Sequence, residues 1–122
     1  MTEIQNSKRF DLEERTFNFT KSVIGWINKL PKSLANIEIS KQVIRSAGSV
    51  GANYIEANES LSKKDFVMRI KICRKEAKES RYWLKLLNCN TKELETEQMK
   101  LIQESYELMK IFGAILQKTN PN

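Results

Sequence analysis

The chain has 122 residues, 40% of them hydrophobic and 30% charged, which suits one compact domain able to bury about two-thirds of its unfolded surface. Lys and Arg number 21 against 15 Asp and Glu, a net charge of +6 that favours acidic partners such as nucleic acid without deciding between them. Histidine is absent, and Cys73 and Cys89 lack metal-ligand spacing, which excludes a zinc site, a Cys-His nucleophile, haem ligation by histidine and general-base histidine chemistry.

The opening MTEIQNSKRFDLEERTF has no basic segment followed by an apolar one, and no apolar run approaches the roughly 18 residues of a membrane span. A cytoplasmic protein without membrane contact is expected. Asp11 with Glu14 makes a capping box, which predicts a first helix over about 11–30. Leu12, Thr16, Phe19, Val23, Trp26 and Leu30 give its inner face, and Pro31 ends it because proline lacks a donor and clashes with the preceding turn.

A second helix is predicted over about 37–58. An apolar stripe of Ile39, Val43, Ala47, Val50, Tyr54 and Ala57 runs beside a polar one of Gln42, Arg45, Ser49, Asn53 and Glu56. Its middle, Ala47 to Ala52, contains Gly48 and Gly51, each costing about 1 kcal/mol relative to alanine. A tight helix–helix crossing at the glycines compensates. A phosphate-cradling loop does not fit, because no strand precedes the segment and no Gly-Lys-Ser/Thr follows.

Ser62 with Asp65 repeats the capping box and opens a third helix over about 63–88. Phe66, Ile70, Cys73, Ala77, Ser80, Leu84 and Leu87 form its packing seam at alternating spacings of four and three. Cys73 and Ala77 are expected inside, with Cys89 incidental. A second apolar face, Met68, Ile72, Trp83 and Leu86, lies about 100° or more from the seam. It calls for a second neighbour, either a wide core stripe or a partner chain. A fourth helix is predicted over about 95–118, with a seam of Leu101, Ser105, Leu108, Phe112 and Ile115. Short polar connections then give an all-α, antiparallel up-down-up-down, left-handed four-helix bundle spanning 1–122, with short flexible ends at about 1–9 and 119–122.

Three groups of side chains could carry function. Lys64, Lys71, Arg74, Lys75, Lys78 and Lys85 fall within about 100° of one another, opposite the seam and flanked by Lys63, Arg81 and Tyr82. Such a stripe can follow a phosphate backbone, or it can be a solvated face with ion pairs such as Lys75 with Glu79. The polar stripe Arg45, Ser49, Asn53 and Glu56 reads as a network that fixes helix register, with ligand contact as the alternative. Glu56, Glu76, Glu79, Glu104 and Glu107 are the candidates for a purely carboxylate metal site, a weak signal without histidine. No metal and no cofactor are expected.

The segments RSAGSVGANYIEA (45–57), KKDFVMRIKI (63–72) and KEAKESRYWLKLL (75–87), continued by ESYELMKIFGAILQKT, resemble the four-helix bundle proteins of the 23S rRNA intervening-sequence family. The resemblance implies a small bundle that assembles into a ring-shaped homopentamer and has no known catalysis. Relatives include the accessory protein of diversity-generating retroelements, associated with nucleic acid and reverse transcriptase. By position the motif residues are Arg45, Ser49, Asn53 and Glu56, then Glu76, Glu79, Tyr82 and Trp83. Glu59-Ser60-Leu61 and Arg74 depart from the family pattern, where a glycine-rich turn and an apolar residue are usual.

These readings give one leading expectation and two competing alternatives. The first is a non-enzymatic, oligomeric adaptor that binds RNA or DNA through the lysine stripe. The second is a structural or protein-interaction module that binds no nucleic acid, and the third a carboxylate-metal enzyme. In a ring, Met68, Ile72, Trp83 and Leu86 would meet the Ile44, Gly48, Gly51 and Ile55 side of a neighbour, with Glu79 making a cross-subunit hydrogen bond.

Overall fold

In a computed structural model, which describes the backbone of residues 3–120 and the side chains of 11–120, the chain forms four helices and, among the described residues, no strand. These are α1 (Glu3–Ile27), α2 (Leu34–Asn58), α3 (Lys63–Leu86) and α4 (Lys92–Thr119). Three of the starts are fixed by hydroxyl caps that satisfy an orphan backbone donor. Ser33 Oγ accepts from Asn36 N at 3.1 Å, Ser62 Oγ from Asp65 N at 3.1 Å and Thr91 Oγ1 from Leu94 N at 3.2 Å. The Ser62 cap is the expected one. Ser33 and Thr91 start α2 and α4 a few residues ahead of the predicted 37 and 95.

The first helix differs from expectation at both ends. It begins at Glu3, so Asp11 and Glu14 sit within it and their capping box starts nothing. The preceding EIQNSKRF holds neither Gly nor Pro, so extending a formed helix through it is cheaper than breaking at Asp11. At the other end, Lys29 N bonds Trp26 O and Leu30 N bonds Ile27 O, each at 3.0 Å. This tightened turn brings the chain to Pro31, which cannot continue a helix. Of the ends expected to be flexible, residues 1, 2, 121 and 122 lie outside the described residues.

The core is built from the predicted seams. Phe19, Val23 and Trp26 of α1, Val43, Ala47, Val50 and Tyr54 of α2, Ile70, Cys73, Ala77 and Leu84 of α3, and Leu108 and Phe112 of α4 are all buried. α3 packs along both α2 and α4, while α1 lies against α2 and, more sparsely, α4. Polar ties hold that weaker side: Trp26 Nε1 donates to Leu94 O at 3.0 Å, and Arg15 makes two 2.8 Å bonds to the Glu104 carboxylate. The Glu104 hydrogen bond raises the Arg15 pKa above its ordinary value.

Asn36 joins the two connections at one end of the molecule. Its Nδ2 donates to Pro31 O at 2.9 Å and Asn88 O at 3.0 Å, and its Oδ1 accepts from Asn88 N at 2.9 Å. Between α2 and α3, the buried Ser80 hydroxyl donates to Ser46 Oγ at 2.9 Å, and the Ser46 hydroxyl donates to Val43 O at 3.3 Å. The tight crossing expected at both glycines occurs at one. A Cβ on Gly51 would stand 3.1 Å from Thr16 Oγ1 of α1, whereas a Cβ on Gly48 would meet nothing within 4 Å.

Candidate nucleic-acid interface

Burial of Ile70, Cys73, Ala77, Ser80 and Leu84 rotates the opposite side of α3 outward. Lys64, Lys71, Arg74, Lys75, Lys78 and Lys85 are accordingly all exposed. Two carboxylates of the same helix are committed elsewhere: Arg45 lies 3.2 Å from Glu79 and 3.4 Å from Glu76, whereas Asp65, beside Lys64 at the start of α3, has no ion-pair partner among the described residues. The Lys75–Glu79 pair of the solvated-face alternative is not formed, and Arg45 of α2 reaches Glu79 instead. Among the described residues, none of the six stripe cations has an ion-pair partner.

The positive surface continues onto α4 through one contact between helices, which spacing does not reveal, and one within α4, which it does. Arg81 lies 5.1 Å and Lys110 5.3 Å from the centre of the Tyr106 ring, whose negative face attracts cations. Arg81 Nε is buried without a hydrogen-bond partner. Arg74 Nε lies 3.9 Å from where a Cβ of Gly113 would stand, an ordinary van der Waals distance that places the arginine alongside α4. An open groove of about 550 Å³ at the start of α3 is lined by Lys63, Lys64, Asp65, Val67, Met68, Lys71 and Asn120. It brings lysines of the stripe next to an apolar side chain.

The polar stripe of α2 divides into two separate links to α3. In one, Arg45 faces Glu76 and Glu79. Glu76 is 5% exposed, and its Oε2 sits within ion-pair distance of Arg45 yet forms no aligned hydrogen bond, so the attraction is chiefly between charges. In the other, Asn53 Nδ2 donates to Ser49 O and Oγ, and Arg69 donates to Asn53 Oδ1, all at 2.9 Å. Arg69 is a member of the network that the stripe alone does not announce. Glu56 is exposed and joins neither link.

The candidate contact residues fall on two apolar surfaces. Met68 and Leu86 are nearly half exposed, with Ile72 and Trp83 half-buried beside them. On α2, Ile44 and Ile55 are exposed around the half-buried Gly48, and Phe17 and Ile24 are exposed on α1. Tyr82 is 60% exposed and meets Trp83 edge-on, with centroids 5.0 Å apart and planes at 78°.

The remaining candidates are dispersed. Glu104 lies between α1 and α4, Glu76 and Glu79 lie between α2 and α3, and Glu107 accepts from Gln103 at 2.7 Å. Among the described residues, no group of three or more His, Cys, Asp or Glu could hold a metal ion. Burial pushes the Cys73 thiol up to about 12, and its Sγ donates to Val50 O at 3.4 Å. Burial, with the charge of Glu95, also raises the Cys89 thiol. No helix among the described residues is long and apolar enough to cross a membrane.

Helices, seams and surface together define an all-α protein with one basic face and apolar residues exposed on two sides. The chain belongs to the 23S rRNA-intervening sequence protein family, whose model matches residues 8–114. Among solved structures it is similar to a protein of unknown function from the S23 ribosomal protein family of Bacteroides thetaiotaomicron. The two are 28% identical with a TM-score of 0.72, over 86% of this chain and 97% of that one. No curated protein matches the chain.

Proposed function

We propose that this is a non-enzymatic, cytoplasmic adaptor that binds nucleic acid through the basic face of α3 and works as a homo-oligomer. The observation that carries the reading is that six exposed cations line one helix face without ion-pair partners among the described residues, while Glu76 and Glu79 of that helix are engaged with Arg45. Unpaired cations in such a row retain their attraction for phosphate, and releasing counterions on binding supplies affinity. The family name and that of the solved neighbour favour RNA as the partner. The bundle is read as antiparallel up-down-up-down and left-handed, consistent with its short connections.

The oligomer is a closed ring, for which the family resemblance suggests five subunits. Met68, Ile72, Trp83 and Leu86 of one subunit then cover the Ile44, Gly48 and Ile55 surface of the next, a heterologous contact between unlike faces. The exposure of both faces in the single chain supports this pairing. Light scattering on the wild type and on a Trp83→Ala, Ile72→Ser double variant tests it. A stable wild-type monomer at micromolar concentration, or an unaltered oligomer in the double variant, contradicts it.

The binding reading is tested with the triple variant Lys71→Glu, Lys75→Glu, Lys78→Glu and fluorescently labelled RNA. At least a tenfold loss of affinity is expected, because three attractive charges become repulsive. Equal affinity in wild type and variant, with the helices intact by circular dichroism, removes the stripe as the contact surface. It leaves the protein-interaction reading, in which the exposed Phe17, Ile24, Ile44 and Ile55 surface takes another protein.

A further inference from the structure

We infer that the ligand of the α3 face is single-stranded rather than duplex nucleic acid, with Tyr82 as the platform on which an unpaired base stacks. This rests on the nucleic-acid reading of that face and goes beyond it by naming the strand class and the residue that selects it. At 100° per residue, Lys64, Lys71, Lys75 and Lys78 lie within about 40° of Tyr82 around the helix, so the tyrosine stands on the axis of the lysine row. The residue is 60% exposed. Glu79, one turn away, is held by Arg45 and leaves the surroundings of the ring positive.

The packing of the ring also matters. Trp83 meets Tyr82 edge to face, at 5.0 Å and 78°. In that geometry the edge of one ring points at the face of the other, so the indole covers at most one face of Tyr82. Trp83 is itself half-buried, so it anchors the tyrosine while leaving a face open. Tyr106 differs, because Arg81 and Lys110 already stand close to its ring. Tyr82 is therefore the aromatic within the stripe that is available to a base.

Strand selection follows from what each ligand presents. A duplex offers phosphates to the lysines but keeps its bases stacked inside, so an exposed ring gains nothing from it. A single strand offers phosphates and base faces together, and base–aromatic stacking adds affinity with little sequence preference. Affinity for a single strand then has a salt-sensitive part from the lysines and a salt-insensitive part from the ring.

Fluorescence anisotropy with the full-length protein, a labelled uridine homopolymer of about 20 nucleotides and an RNA duplex of equal length tests the inference. The wild type is expected to prefer the single strand. Tyr82→Leu should lower that affinity about tenfold and leave both duplex affinity and the single-strand salt slope unchanged. Tyr82→Phe and Tyr82→Trp, which keep a flat ring, should retain binding. Equal or tighter wild-type binding to the duplex overturns the inference, as does an unaffected Tyr82→Leu variant. A parallel loss of single-strand and duplex affinity also overturns it, because the tyrosine would then act through fold or assembly. If the wild type binds neither RNA, the reading of the whole face fails and the inference with it.

Discussion

Replacing each helix-interior glycine of α2 by alanine isolates the effect of space, because the propensity gain is the same at both sites. That gain is about 1 kcal/mol per substitution. At Gly48 the new methyl meets nothing within 4 Å. The whole gain is expected there, which for a chain of this size raises the melting temperature by about 4 °C. At Gly51 the methyl stands 3.1 Å from Thr16 Oγ1 and 3.4 Å from Thr16 Cβ. Thr16 has little freedom to yield, being 1% exposed with its hydroxyl bonded to Glu13 O at 2.9 Å. Overpacking of this kind costs about 1–3 kcal/mol, so Gly51→Ala should be neutral to destabilising and at least about 1 kcal/mol less stable than Gly48→Ala. Urea denaturation followed by circular dichroism, with light scattering on the same samples, measures both. Equal stability of the two variants, or a more stable Gly51→Ala, refutes the assignment of the close approach to Gly51. A Gly48→Ala variant that gains stability as a monomer but no longer assembles would place Gly48 at the subunit contact.

Asn36→Ala should cost about 2–3 kcal/mol, because two carbonyls and one amide at the connections lose their partner together; urea denaturation reads the loss. Leu84→Ala and Phe112→Ala, both at 0% exposure, should each cost about 2–5 kcal/mol in the same assay. The Cys73 thiol is held neutral in the folded protein to about 12, against an ordinary value of 9.0. Above about 9 the unfolded chain therefore releases a proton that the folded one keeps, and stability falls with rising pH by at most about 1.4 kcal/mol per unit. Comparing the pH dependence of wild type and Cys73→Ala checks this, since the variant should show a shallower decline over that window.

What the sequence made legible is what local chemistry decides. Ser62 and Asp65 are three residues apart, and the cap they form needs nothing from the rest of the chain. The seams were readable for a similar reason: Val50, Cys73, Ala77, Leu84 and Phe112 recur at helical spacing and are buried. The start of α1 was misread because a capping box is only a preference, and no breaker stood before Asp11 to enforce it. Non-local partners were out of reach. Arg45 could have bonded along its own helix, but the closeness of α3 gives it Glu76 and Glu79, which in turn leaves Lys75 unpaired. Gly48 and Gly51 look equivalent in the sequence, and only the placement of α1 distinguishes them. Tyr106 likewise meets Arg81 only because α3 packs against α4, whereas Lys110 lies one turn along its own helix.

The central claim, that the α3 face binds a phosphate backbone, is tested most directly by the salt dependence of RNA binding. With up to six cations in contact, the plot of log K against log salt should fall with a slope reaching about −4 for a single strand. Replacing Lys71 and Lys75 by Gln should reduce the magnitude of that slope by one to two, at about 0.7 per lost phosphate contact. Binding that is insensitive to salt, or a slope that the two substitutions leave unchanged, would contradict the account.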